Sequence, residues 1–243
     1  MSAPQHILAI ECSNPGSGVG SGAGGPGVAL GRFGDGGVEL LGTEQVRPSG
    51  RGGHDDDLMP AIDRLFRGGN ITPRGGTLAR VAVSIGPGGY TSVRVACAAG
   101  KMIAEASGAK CVAVPTASVA IESLTDHGQR AHIAVALAGK GETAWVQVFD
   151  AGIAAQPGRI ITAADIGGLN ASGVRLLIAD SFLPAPMRAA AEQFGWTIVP
   201  PIFDAAACLR VGARLPALDP ADLVPLYPRE PDAVTLWRAR KAS

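Results

Sequence analysis

Two glycine-rich stretches carry residue types and spacings that could hold a phosphate. In "ECSNPGSGVGSGAGGPG", Gly20, Gly22 and Gly25 fit G-x-G-x-x-G, the pattern of a dinucleotide cradle. That cradle needs a helix after the glycines, so that the pyrophosphate meets unpaired N–H groups. Here Pro26, Gly27 and "VALGRF" follow, which reads as a strand, so the second half of the motif is missing. A long hairpin loop explains the glycines. It leaves one narrower use, a phosphate held by backbone N–H groups in a β-hairpin turn. The second stretch is "SIGPGGYTSVRVACAAGK", Ser84–Lys101. Its order of strand, glycine turn and helix suits an anion. Gly86, Gly88 and Gly89 permit close approach, and Thr91 or Ser92 is expected to cap the helix. No Lys follows the turn where a P-loop requires one, and a tight turn with a capped helix accounts for every residue.

Metal and nucleophile chemistry find little support. The histidines are His6, His54, His127 and His132, and none forms H-x-x-x-H. "HDDD" at His54–Asp57 reads as a solvated first helical turn, with carboxylates at the positive end of the helix dipole. Cys12 follows a strand with nothing basic beside it in sequence. The cysteines Cys12, Cys97, Cys111 and Cys208 are scattered, form no C-x-x-C, and mostly sit in apolar runs as small hydrophobes.

The elements that must position these stretches follow from periodicity. His6–Glu11, Gly27–Phe33 and Gly37–Val46 read as strands, the last two joined by the hairpin turn "GDGG". His54–Arg67 reads as an amphipathic helix through Leu58, Ile62, Leu65 and Phe66. A strand Ala79–Ile85, a helix Val93–Ser107 ended by Gly108, a strand Lys110–Val114 and a helix Ala117–Leu124 follow. The order then restarts. Strands are expected at His132–Leu137, Thr143–Asp150, Arg159–Ile161, Val174–Ala179 and Thr197–Val199, and helices at Pro184–Phe194 and Asp204–Gly212. Antiparallel strands followed by β-α alternation predict an α/β fold with mixed sheets, in two tandem units, 1–115 and 116–243.

The helix after "GPGG" is poor in bulk. Ala96, Cys97, Ala99, Gly100 and Ala104 would let another helix approach closely, and the Leu58–Met59–Ile62–Phe66 helix is its expected companion. The pair predicts a two-helix docking face.

The 243 residues suffice for a sizeable core, and 47% hydrophobic content marks a globular chain. Lys+Arg and Asp+Glu are both 21, without the basic excess of a protein that binds nucleic acid unaided. A local basic patch of Arg229, Arg238, Arg240 and Lys241 reads as a solvated segment. The opening residues lack the basic and apolar regions of a signal peptide, and Val93–Ala109 is too short and too charged to span a bilayer. The expectation is a cytoplasmic protein without a membrane role.

Taken together, the segments resemble the bacterial TsaB (YeaZ) family of tRNA threonylcarbamoyladenosine biosynthesis. "ILAIECS" and "GVAL" are similar to its I-L-A-I-D-T-S-T and S-V-A-L, and "GHDDDLMPAIDRLF" to its R-H-S-E-x-L-L-P helix. "VAVSIGPGGYTSVRVACAAGKMIA" resembles V-x-x-G-P-G-S-F-T-G-L-R-I-G-x-A-x-A-K-G-L-A, the most specific segment. "PTASVAIE", "ALAGKGETAWVQVFD" and "VPLYPREPD" resemble V-S-S-L, D-A-R-x-G-E-V-Y-x-A-x-Y and P-x-Y-L-R. The departures are Glu11 for Asp, Cys12 for Thr, an opening turn longer by roughly ten residues, Gly88-Gly89-Tyr90-Thr91-Ser92 for G-S-F-T-G, Leu137-Ala138-Gly139 for D-A-R and Pro228 for Leu.

The resemblance implies an actin/Hsp70/sugar-kinase type fold of two ribonuclease H-like domains. It implies a non-catalytic subunit that binds the catalytic subunit TsaD and supports threonylcarbamoyl transfer to adenosine 37 of tRNA. A TsaE-like ATPase would join through the complex, and tRNA would be met only indirectly. The implied docking face, for TsaD or a second copy of the chain, is Leu58, Met59, Ile62, Tyr90, Thr91, Val93, Arg94, Cys97, Gly100 and Lys101, with Glu11, Gly86, Gly88 and Gly89 in the loops beside it. No cofactor is expected on the chain alone, and ATP or ADP would sit at a partner interface. The alternatives are an ATP-dependent kinase or metal-dependent hydrolase of the same fold, and a scaffold that has lost its partner.

Overall fold

The strand β1 (His6–Glu11) is buried along its whole length, as a strand covered by helices on both faces must be. It pairs antiparallel with β2 (Gly27–Gly34), from His6 opposite Arg32 to Glu11 opposite Gly27, and parallel with β4 (Leu78–Ser84). β3 (Gly37–Gln45) and β5 (Lys110–Val114) complete the first sheet in the order β3-β2-β1-β4-β5. The computed structural model describes residues 5–14, 25–47, 57–72, 76–124 and 132–229, with Val234, Trp237, Arg238, Arg240 and Lys241. Gly20 and Gly22 of the expected hairpin loop, and the residues His54–Asp56, lie outside the described residues.

The second sheet repeats the first. β6 (Ile133–Lys140) and β7 (Thr143–Asp150) form an antiparallel hairpin, and β10 (Leu176–Ala179) and β11 (Thr197–Val199) run parallel to β6 on its other side. The outer edge of β7 is shared by two short strands, β8 (Ile153–Ala154) and β9 (Arg159–Ile161). Each sheet therefore joins an antiparallel set to a parallel pair, the ribonuclease H-like arrangement expected of this α/β fold.

Alternation along the strands divides the core. Leu8, Ile10, Val81 and Val83 point to the face covered by α1 (Leu58–Gly68) and α2 (Tyr90–Ser107). Ile7, Ala9, Ala82 and Val112 point to the opposite face, covered by α6 (Ala205–Arg214). That helix follows the second sheet in sequence and yet packs on the first. Between the sheets, α3 (Thr116–Glu122) gives Val119 to the α6 cluster, and Ala117, Ala120 and Ile121 to a cluster with Ile133, Leu137 and Phe149. α4 (Ile166–Ala171), unforeseen in the sequence, and α5 (Ala185–Gln193) cover the far face of the second sheet through Ile166, Leu169 and Met187.

Two glycines seat helices against β4 from opposite faces of the sheet. A Cβ on Gly100 in α2 would lie 2.5 Å from Val83 Cγ2, and one on Gly212 in α6 would lie 2.4 Å from Ala82 Cβ. Gly108, with φ 75°, ends α2 in the left-handed conformation as expected.

Candidate functional site

The loops after β1 and β4 meet at one point. Glu11, the last residue of β1, is enclosed. Its Oε1 accepts from the Ser13 amide at 2.8 Å and the Ser13 hydroxyl at 2.6 Å, while Oε2 is buried with no partner among the described residues. The Ser13 carbonyl accepts from the Gly89 amide at 2.6 Å. Gly88 passes so close that a Cβ would lie 2.1 Å from the same oxygen. On the other side, Thr116 Oγ1 accepts from the Gly86 amide at 3.0 Å and bonds the Ser84 hydroxyl at 2.8 Å, and the Thr116 amide donates to Gly86 O at 3.0 Å. Gly86 adopts φ 106°, which explains a glycine there. The "GPGG" turn is thus stitched to both neighbouring strand ends, and Glu11, Gly86, Gly88 and Gly89 do come together.

The expected cap does not form. The N-cap of α2 is Gly89, with no side-chain bond, because the chain enters the helix tethered to Ser13. The helix also starts at Tyr90, three residues earlier than expected, so Ser92 is buried within its first turn while Thr91 faces out. In α1, the Asp57 carboxylate does not cap its helix but takes the Arg64 guanidinium at 2.9 and 3.1 Å.

Burial pushes the Glu11 carboxyl up from its ordinary range, against the opposing pull of the Ser13 hydrogen bonds, and nearby Asp204 adds to the rise. The folded state therefore holds this proton to higher pH than the unfolded chain does. Its contribution to stability is complete below the unfolded value of 4.5 and declines as pH climbs through the raised folded value. Glu11→Gln removes that decline. Its stability relative to the parent should rise with pH across this window, as denaturant titrations at several pH values would show. Parallel pH profiles for the two proteins would refute the assignment.

Nucleophile and metal roles gain nothing. Cys12 is buried, so a nucleophilic Cys12 is not presented to solvent. Burial pushes Cys97 and Cys111 up to about 11 and raises Cys208 well above the usual thiol range, and thiols so shifted are inert at neutral pH. Among the described residues no three His, Cys, Asp or Glu gather as a metal site, and no helix is long and apolar enough to cross a membrane.

The residues of the expected docking face divide by burial. Leu58, Ile62, Val93, Cys97 and Gly100 lie in the chain's own core and are not available to a partner. The small residues Ala96, Cys97, Ala99, Gly100 and Ala104 serve the close approach of α2 to its own sheet, not to a second helix surface. The outward stripe of α2 is Tyr90, Thr91, Arg94, Ala98, Met102 and Glu105, and α1 adds Met59. Lys101, half-buried, donates to Ala221 O at 3.0 Å.

On this stripe the Arg94 guanidinium lies 5.0 Å above the Tyr90 ring and donates to its hydroxyl at 3.0 Å. The Tyr227 ring leans on Tyr90 with centroids 5.2 Å apart. Tyr227 was not foreseen as a site residue; its only signal was its place in "VPLYPRE". Arg229, expected in a solvated basic patch, instead clamps the β6–β7 hairpin. It donates to Ala138 O at 2.5 Å, Thr143 O at 3.2 Å and Thr143 Oγ1 at 2.8 Å.

Residues 50–165 match the model of a family described as TsaD, tRNA N6-adenosine threonylcarbamoyltransferase. No curated protein matches the chain. Among solved structures, the chain is similar to one described as an uncharacterized protein with similarity to peptidase YEAZ from Pseudomonas aeruginosa. The TM-score is 0.61 at 15% identity, over 93% of this chain and 100% of that one. It is also similar to YeaZ from Pseudomonas aeruginosa, with a TM-score of 0.60 at 14% identity, over 92% of this chain and 99% of that one. An inorganic polyphosphate/ATP-glucomannokinase from Arthrobacter sp. aligns less closely, with a TM-score of 0.40 at 12% identity over 87% and 97% of the two chains. The YeaZ resemblance read from the motifs thus extends to the fold of nearly the whole chain.

Proposed function

We propose that this chain is a TsaB (YeaZ)-type accessory subunit that docks on a TsaD-type catalytic subunit and supports threonylcarbamoyl modification of tRNA without performing the transfer itself. The observation that carries the reading is the outward stripe of α2, where Tyr90, Arg94 and Met102 stand exposed on a helix seated firmly by Gly100. Exposed aromatic, Arg and Met side chains are the types that anchor protein interfaces. The match of residues 50–165 to the TsaD family and the YeaZ-like fold support the same reading. In this proposal the two units divide near residue 115, the complex is cytoplasmic, a TsaE-like ATPase joins through it, tRNA is met indirectly, and ATP or ADP sits at a partner interface. Free chains pair through the same stripe.

Co-purification with a TsaD-type subunit from the same organism tests the reading. Ala98 faces out and carries no core contact, so Ala98→Trp blocks the stripe without disturbing the fold. Ala98→Trp and Arg94→Glu should each weaken binding about 10- to 100-fold with unchanged melting behaviour. A wild-type chain that fails to bind, and instead binds Mg-ATP tightly in calorimetry, would replace this reading with a kinase or hydrolase of the same fold.

A further inference from the structure

We infer that the docking surface is composite: residues Leu223–Arg229 lie as a strap beside α2, and Val224 and Tyr227 on it contact the same partner that covers Tyr90, Arg94 and Met102. This rests on the proposed partnership and adds residues to it.

The strap is fixed at both ends, on different sheets. Leu223 is buried in the core beneath α2, close enough that a Cβ on Gly100 would lie 3.5 Å from its Cδ2. The Leu226 amide donates to Ile85 O at 2.8 Å, beside the "GPGG" turn, and Leu226 packs against the cluster of Ile133 and Phe149. Arg229 then grips the β6–β7 hairpin through its three hydrogen bonds. Between these anchors Val224 is 60% exposed and Tyr227 40%, next to Tyr90 at 55%. A segment ordered by its own chain loses little freedom when a partner covers it. The Tyr227 and Tyr90 rings touch at a tilt, so a surface that covers one reaches the other.

The chemistry of the occupant follows from Arg94. Its guanidinium lies 5.0 Å from the centroid of the Tyr90 ring, donates to the Tyr90 hydroxyl, and meets no carboxylate among the described residues. The complementary occupant is a protein surface with an apolar patch for Val224, Tyr227 and Met102 and a carboxylate facing Arg94. Arg229 is a positioning residue: two residues along from Tyr227, it ties the surface to the hairpin of the second sheet.

The experiment measures affinity for the TsaD-type subunit of the same organism, with hydrogen exchange on the free and bound chain. Tyr227→Ala and Val224→Asp should each weaken binding about 10- to 100-fold. Tyr227→Phe, which keeps the ring against Tyr90, should bind as the parent does. Arg229→Ala should speed exchange at residues 138–143 and weaken binding, although it lies outside the contact itself. Partner binding should slow exchange across residues 138–143 in the parent chain but not in Arg229→Ala. If the parent binds, Arg94→Glu weakens it, and both Val224→Asp and Tyr227→Ala bind like the parent, the composite surface is wrong while the partnership stands. If the parent does not bind, the partnership falls and the composite surface with it.

Discussion

Gly88→Ala will destabilise the protein by about 3 kcal/mol, the sum of a forced steric displacement and one lost buried hydrogen bond. In a chain of this size that lowers the melting temperature by about 6–12 °C. The added methyl would lie 2.1 Å from the Ser13 carbonyl oxygen, a backbone atom with no rotamer to retreat into. That oxygen also accepts the Gly89 amide at 2.6 Å, so making room for the methyl breaks the bond that joins the two loops. Ser13 is in turn the residue whose amide and hydroxyl hold Glu11, so its displacement leaves a buried carboxyl with neither oxygen satisfied. Gly34→Ala is the control, because no atom lies within 4 Å of its added methyl. Thermal melts of the two variants decide the matter. Equal melting temperatures would mean that the loop junction carries no stability.

Gly212→Ala carries the second large effect, and its sign is the informative part. In an open helix this change stabilises by roughly 1 kcal/mol, because Ala loses less backbone freedom. Here the new methyl would lie 2.4 Å from Ala82 Cβ on the buried strand β4, while Val114 Cγ2 and Ile7 Cδ1 close the sides at 3.5 and 3.7 Å. The helix must lift from the sheet, and the net loss should be about 2–3 kcal/mol despite the gain in propensity. Combining it with Ala82→Gly removes the clashing atom, so the double variant should recover part of the loss relative to the sum of the singles. Additive single effects in urea titrations would show that the close approach is not what requires glycine there.

Much of the fold was legible in the sequence. β1, β5, β7, β9 and β11 fall at their expected limits, because a run such as "HILAIE" or "KCVAV" has few other ways to bury its side chains. The "GDGG" hairpin and the Gly108 cap were legible for the same local reason: few residues tolerate those backbone angles. The short helix Ile166–Ala171 was not, since "IGGLNA" holds two glycines and shows no periodicity. It forms against Met187 and Trp196, contacts that exist only in three dimensions.

The candidate site divides in the same way. Its glycines announced themselves, but their partners did not. Nothing along the chain says that Gly88 rests on Ser13 or that Thr116 holds Gly86, because each pair is brought together by neighbouring strands far apart in sequence. The small residues of α2 were legible as a face made for close approach. Which neighbour approaches was not, because composition states how near a surface can come and not what lies opposite. The tertiary structure places β4 there, and so leaves Tyr90, Arg94 and Met102 exposed on the outer side.

The sequence by itself determined the order of elements, the restart of that order, the tight turns and the resemblance that they carry together, all set by local backbone preference and periodicity. Only the tertiary structure decided that α6 returns to cover the first sheet, that Arg229 grips a hairpin and not solvent, and that Tyr227 lies on Tyr90. Those contacts join residues about 90 to 200 positions apart. The free energy of such contacts comes from burial and hydrogen bonding between distant segments, which no local pattern encodes.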